Sequence, residues 1–322
     1  MNKNSLASQR MRSVRATLPA PRIAAGDFRR DQDLKPEELR ALLDLAREVK
    51  RNPDAFRAGL AGKCAGLLFE KPSLRTRFTF ELAMQQLGGG FATQIGPIGE
   101  REPVSDVARN LDGWVDVIIA RTFDQQTVDD LAEWADVPVI NALSDMYHPC
   151  QALADFQTLE ECFDQLEGLK LAFIGDGNNV AHSLMLTAAP LGVEFAIAHP
   201  EGYGPDEALV AEARALGGKI RITGDAEEAV RGADAVYTDV WASMGQEHEA
   251  YERMVHFEPF RVDLALMRKA RKSAIFLHCL PAKRGQEVTH EVVESRQSKV
   301  FQQAGNRLHA QKALLLMLLG ND

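Results

Sequence analysis

Short apolar runs alternate with amphipathic helical patterns along nearly the whole chain, and the alternation begins afresh near Leu169. Strands that take turns with helices cannot pair as hairpins, so this order dictates parallel sheets covered by helices. In the first half, Leu39, Leu42, Leu43, Ala46 and Val49 mark one face of a helix over 36–51, entered through Pro36 and two glutamates. An apolar run then ends in a loop over 65–72, a helical pattern starts at Leu74, and Gly88, Gly89 and Gly90 stop it. A helix over 104–114, a strand over 115–120, a helix over 128–135, a strand over 137–141 and a long helix over 152–163 follow. In the second half, strands read at 171–174, 195–198, 220–223, 235–239 and 275–280, with helices between them and a closing helix from Asn306. The expected fold is α/β with two domains, each a parallel sheet flanked by helices, the second Rossmann-like. The length of 322 residues suits two domains of roughly 150 residues each. The expected divisions are a disordered basic tail over 1–26, a first domain over 27–155, and a second over 156–322 whose last helix returns to the first.

Charge and composition narrow the function classes. The formal net charge is −9, and residues 1–26 carry five basic residues and no acidic one. The rest of the chain therefore holds 32 basic against 46 acidic residues, a balance of −14. A nucleic-acid partner needs clustered Lys and Arg on a broad face, which this balance disfavours. The apolar stretch over 313–319 is too short to span a bilayer, so no membrane association is expected. The Arg-rich, acid-poor tail lacks the apolar segment of a secretory signal; it reads as a tail, with an organelle address as the alternative. Cys64, Cys150, Cys162 and Cys279 show neither a CxxC pair nor zinc-like clustering, which fits reduced thiols in a cytoplasmic protein. Cys64 and Cys162 read as small hydrophobes.

The chemistry-bearing segments fall at strand ends. Ser73, Leu74, Arg75, Thr76 and Arg77 stand where a loop enters a helix, a place that favours anions, and Arg75 can grip phosphate oxygens with two N–H groups. The alternative there is an N-cap serine followed by exposed arginines. Arg121 ends one strand, and His148-Pro149-Cys150-Gln151 follows the next, on the edge where open α/β sheets bind ligands. The segment FIGDGNNVAHS resembles a dinucleotide fingerprint, but Val180 takes the third glycine's place and the next strand ends at His199 instead of an acid. Asn178 and Asn179 offer amides suited to a carboxylate or an amine. Asp239 and Cys279 end neighbouring strands and could face one crevice.

Taken in order, SLRTR at 73–77, Arg121 in RTF, HPCQ at 148–151, DGNN at 176–179, DVWASMG at 239–245, HCLP at 278–281 and NRLH at 306–309 resemble the ornithine carbamoyltransferase family, from about residue 27 onward. The resemblance implies carbamoyl transfer from carbamoyl phosphate to the δ-amine of L-ornithine, giving citrulline and phosphate in arginine metabolism. It implies no metal or organic cofactor, and a homotrimer or multiple of trimers with sites at subunit interfaces. By motif, Ser73, Leu74, Arg75 and Thr76 would cradle the phosphate. Arg121, His148 and Gln151 would hold the carbamoyl group, and Arg307, Cys279 and Leu280 would close the site. Asn179, Asp239, Ser243 and Met244 would bind ornithine. Arg121, His148, Asp239 and Cys279 are the catalytic candidates, the last two for positioning or accepting the amine proton; a hydrogen-bonded Asp beside a buried thiol is the plainer alternative. The stretch over 88–103 is shorter than the family's turn, and Gln94 stands where a family glutamine could be replaced. Putrescine or an N-acylated ornithine is the alternative acceptor, and a nicotinamide-dependent oxidoreductase the remote one.

Overall fold

The computed structural model describes residues 22–242 and 249–320. The first half runs through α1 (Pro36–Arg51), β1 (Cys64–Phe69), α2 (Arg75–Gln86), β2 (Gly90–Ile95), α3 (Val104–Asp112), β3 (Val117–Arg121), α4 (Gln125–Trp134) and β4 (Val139–Leu143). Then α5 (Pro149–Phe163) leads into β5 (Lys170–Ile174), α6 (Asn179–Ala188), β6 (Glu194–Ala198), α7 (Glu207–Ala215), β7 (Ile220–Thr223) and α8 (Ala226–Val230). The chain finishes with β8 (Ala235–Thr238), α9 (Ala250–Phe257), α10 (Leu264–Met267), β9 (Ile275–Leu277), α11 (His290–Val293) and α12 (Val300–Leu319). All strands pair in parallel, in the orders β2-β1-β3-β4 and β7-β6-β5-β8-β9. The fold is thus α/β with two parallel sheets flanked by helices, as the alternation requires.

Each order reverses once, and each reversal opens a crevice at the carboxyl ends of two strands. In the first sheet this happens between β1 and β3, which deliver the SLRTR loop and Arg121. In the second it happens between β5 and β8, which deliver DGNN and Asp239. The central helix α5 is buried from Pro149 to Leu159. Against it, α1 and α2 packs α12, whose Ala310–Met317 run is buried throughout. That burial explains the apolar C-terminal stretch, and no helix among the described residues is long and apolar enough to cross a membrane.

Several boundaries differ from the sequence reading. The edge strand β2 was hidden because its side chains are mostly exposed and show no apolar alternation. The final helix starts at Val300, six residues before Asn306, its first turns, VFQQAG, carrying two glutamines and a glycine that break the apolar spacing. The strands expected over 235–239 and 275–280 stop at Thr238 and Leu277, which frees Asp239 and the HCLP segment as loops. Residues 22–26, grouped with the tail on charge alone, include a buried Ile23, and the Ala24 N–H donates to Glu38 Oε1 at 2.9 Å. The tail up to residue 21 lies outside the described residues.

A buried carboxylate ties the chain start to the second sheet. Asp31 accepts from Ser183 Oγ at 2.6 Å and Thr187 Oγ1 at 3.0 Å on α6, while Ser183 Oγ accepts the His148 N–H at 2.9 Å. Burial pushes the Asp31 carboxyl up to about 7, opposed by those hydroxyls. Below about pH 4 both folded and unfolded chains hold this proton; between about 4 and 7 only the folded chain does, so stability falls as pH rises through that window. Asp31→Asn removes that contribution. The unfolding free energy of the variant, from urea titrations, should therefore gain on the parent by about 2–3 kcal/mol between pH 5 and 8; a constant difference would exclude the linkage.

Candidate active site

Helix α2 begins at the β1–β3 crevice with Leu74 as N-cap, and no side chain caps it. Ser73 therefore does not act as the N-cap serine that the alternative reading required, and the first-turn N–H groups of α2 keep their anion preference. From this turn Thr76 points into a buried cluster. Its Oγ1 accepts from Arg121 Nη1 at 3.3 Å and from Arg307 Nη2 at 2.8 Å. Arg121 closes β3 at a register shift against β4, where Ala120 faces Asn141 but Arg121 faces Leu143, an irregularity of the kind that re-aims a side chain. Arg307 arrives from α12, also donates to Gln151 Oε1, and lies 3.5 Å from His148 Nε2.

Arg75 reaches across to the other domain and donates to the Leu280 carbonyl. Leu280 has φ +58°, a left-handed conformation that a branched side chain rarely adopts, and its N–H donates to His278 Nδ1 at 2.8 Å. His278 Nε2 in turn lies 3.2 Å from Glu287 Oε1, with both side chains buried. The HCLP loop is thus bent by its own histidine so that a carbonyl faces Arg75.

Among the described residues Arg75, Arg121 and Arg307 form no ion pair with a carboxylate. Burial lowers Arg121 to about 10, with Arg307 and Arg75 adding repulsion, and burial lowers Arg307 as well. All three remain charged at neutral pH. Two guanidinium groups sharing one neutral hydroxyl is a poor match, whereas a phosphate dianion offers several charged oxygens. Burial and the same three arginines hold His148 well below the usual histidine range, so its imidazole is neutral. It can offer one N–H to a carbonyl oxygen but takes up a proton poorly.

The second crevice holds the candidates for the other substrate. Asp239 accepts from Asn178 Nδ2 at 3.0 Å, from the Val240 N–H at 2.8 Å and from Cys279 Sγ at 2.9 Å. Burial, then the Asp239 charge, pushes the Cys279 thiol well above the ordinary range, so Cys279 holds its proton and donates it. Of the two roles expected for Cys279, positioning or accepting the amine proton, this hydrogen bond favours positioning. Asn179, expected to bind ornithine, spends its Nδ2 on the Ser144 carbonyl at 2.6 Å. Its neighbour Asn178, read from the sequence with Asn179 as an amide suited to a carboxylate or an amine, caps α6 with Oδ1 and donates to the Asp239 carboxylate with Nδ2. Ser243 and Met244 lie outside the described residues. Gln94 lies exposed on β2.

The glycine of DGNN has a packing reason. A Cβ at Gly177 would lie 2.1 Å from the Pro205 N and 2.2 Å from the Gly204 carbonyl carbon, and the Gly177 N–H donates to the Tyr203 carbonyl at 2.8 Å. The chain over 203–205 thus lies where a dinucleotide's pyrophosphate would approach, which argues against the nicotinamide reading. Asp176 beside it pairs with Arg253 at 2.7 Å, anchoring α9.

Comparison with known proteins agrees with this geometry. Residues 27–161 match the carbamoyl-P binding domain and residues 167–318 the Asp/Orn binding domain of aspartate/ornithine carbamoyltransferase. The chain belongs to the aspartate/ornithine carbamoyltransferase family. Within that family it is 52% identical over 303 residues to an ornithine carbamoyltransferase of Anoxybacillus flavithermus, covering 91% of this chain and 96% of the relative. Among solved structures, ornithine carbamoyltransferase from Pyrococcus furiosus superposes with a TM-score of 0.90 at 45% identity, covering 94% of this chain and 99% of that one. The Thermus thermophilus enzyme gives 0.84 at 48% identity, over 91% and 99% of the two chains. The matched carbamoyl-P domain contains Arg75 and Arg121, and the matched Asp/Orn domain contains Asp239 and Arg307.

Proposed function

We propose that this chain transfers the carbamoyl group of carbamoyl phosphate to the δ-amine of L-ornithine, giving L-citrulline and phosphate. The observation that carries the reading is the arginine cluster around Thr76, with no acidic partner among the described residues, facing an Asp239 held as a hydrogen-bond acceptor across the domains. Arg75, Thr76, Arg307 and the free N–H groups of α2 take the phosphate, with Ser73 and the Leu74 backbone beside them. Arg121 and the neutral His148 donate to the carbamoyl oxygen, where negative charge develops as the amine attacks. The Gln151 side-chain oxygen and the Leu280 carbonyl are acceptors that suit the carbamoyl amino group. In the reaction the amine nitrogen forms a bond to the carbamoyl carbon, the carbon–oxygen bond to phosphorus breaks, and phosphate leaves with the electron pair. That departing phosphate is the strongest base the step creates and can take the amine's proton.

Asp239 offers its negative charge to the α-ammonium of ornithine, and an anion in that place opposes aspartate as the acceptor. An apolar stripe of Leu74, Phe78 and Leu82 on α2, with Phe91 and Ile95 on the edge strand, is exposed next to the site, which supports a homotrimer with sites at subunit interfaces. Free thiols at all four cysteines suit the cytoplasm. The test is an acceptor panel with carbamoyl phosphate: citrulline should form with ornithine and far less product with putrescine, N-acetylornithine or aspartate. Folded protein that makes no citrulline at millimolar substrates would refute the activity, and sedimentation of the same sample reads the trimer.

A further inference from the structure

Asp155 lies one helical turn after Gln151 on α5, and the reaction described above makes no use of it. Its carboxylate is fully buried, yet among the described residues no cation forms an ion pair with it. Instead Oδ1 accepts from Gln151 Nε2 at 2.7 Å and Gln303 Nε2 at 2.6 Å, and Oδ2 accepts from the Tyr237 hydroxyl at 3.2 Å. Gln303 Oε1 accepts the His278 N–H at 3.0 Å, at the root of the HCLP loop. A carboxylate can only accept, whereas a primary amide has a donor end and an acceptor end of similar shape. Drawing both NH₂ groups to Asp155 therefore fixes where both amide oxygens point. That of Gln151 faces the Arg307 guanidinium inside the cluster.

We propose that Asp155 is a positioning residue for substrate selection: by holding the Gln151 amide with its oxygen toward the arginine cluster, it presents an acceptor to the amino group of carbamoyl phosphate. This rests on the assignment of the cluster to carbamoyl phosphate. The carbamoyl nitrogen carries two N–H donors, and its lone pair is delocalised into the carbonyl, so it needs acceptors. With Asn at 155, an amide able to donate or accept, either end of Gln151 is satisfied. An inverted Gln151 sets NH₂ against NH₂ and against Arg307. The phosphate half meets the inversion only indirectly, through Arg307, which Thr76 still anchors, while Arg75 and the α2 N–H groups are untouched.

The test is calorimetric titration of the full chain with carbamoyl phosphate and, separately, with inorganic phosphate, at about pH 8.5. There the Asp155 carboxyl, pushed up to about 7 by burial, is ionised. Asp155→Asn should weaken carbamoyl phosphate about tenfold, the effect of one mispaired buried polar contact, and leave inorganic phosphate within about twofold. Tyr237→Phe removes a bond to the same carboxylate but keeps it an acceptor; it should lose stability with both affinities unchanged. If Asp155→Asn does not fold, Asp155→Ser carries the same expectation, because a hydroxyl also donates. Parallel weakening of both ligands, or no change in either, overturns the proposal. Citrulline formation by the parent chain is scored separately, so failure of the assigned activity is not confused with failure of the selection role.

Discussion

Arg121→Met should lower kcat/KM for carbamoyl phosphate by about a thousandfold, mostly through kcat, because it removes a pre-aimed cationic donor from the place where charge develops. The cost is large because the group is buried and already oriented by the end of β3 and by Thr76. Lysine should not rescue it, since a flexible ammonium cannot serve Thr76 and the carbamoyl oxygen from one rigid fork. Stability should move the other way. Arg121 lies beside Arg307 and Arg75, its guanidinium lowered to about 10, so deleting one charge relieves burial cost and repulsion. A variant with higher thermal stability and little turnover is the expected pattern. Steady-state kinetics and a thermal melt decide it; activity within tenfold of the parent would remove Arg121 from the catalytic set.

How far the sequence foretold this site depends on what each residue does. Helix α1 was legible to its ends, because apolar spacing, Pro36 and the first-turn glutamates all act within the helix itself. SLRTR, Arg121, HPCQ and Asp239 were legible because strand ends are where ligands bind in such sheets. Arg307 was not readable from local pattern: it meets Thr76 across 231 positions, and only the family resemblance pointed to it. Asp31 and Asp155 were missed altogether. A lone aspartate in a sequence is by default a solvated surface group, and what makes these two different, the hydroxyls and amides around them, comes from elements far along the chain. Cys279 shows the converse limit. Its proximity to Asp239 was anticipated, but which of the pair holds the proton follows from burial and from the acid's charge, which only the folded environment supplies.

Asp239→Asn should raise the KM for ornithine by about 10²–10³-fold, since a substrate ammonium drawn into a desolvated site without its counter-charge costs about 3–4 kcal/mol. Asn178, the Val240 N–H and the Cys279 thiol all donate to this carboxylate, so an amide would also set NH₂ against at least one of those donors. Carbamoyl phosphate affinity should stay within about twofold, because Asp239 does not touch the arginine cluster's phosphate-facing groups. Cys279→Ser separates the two halves of the pair. A serine hydroxyl also donates to Asp239 Oδ1, so the charge and its orientation survive, and the loss should be no more than about tenfold. Were the thiol the proton acceptor in the reaction, the serine variant would instead lose activity as severely as Asp239→Asn. Parallel ornithine and carbamoyl phosphate titrations of both variants distinguish these outcomes, and an unchanged ornithine KM in Asp239→Asn would place the α-ammonium elsewhere in the crevice.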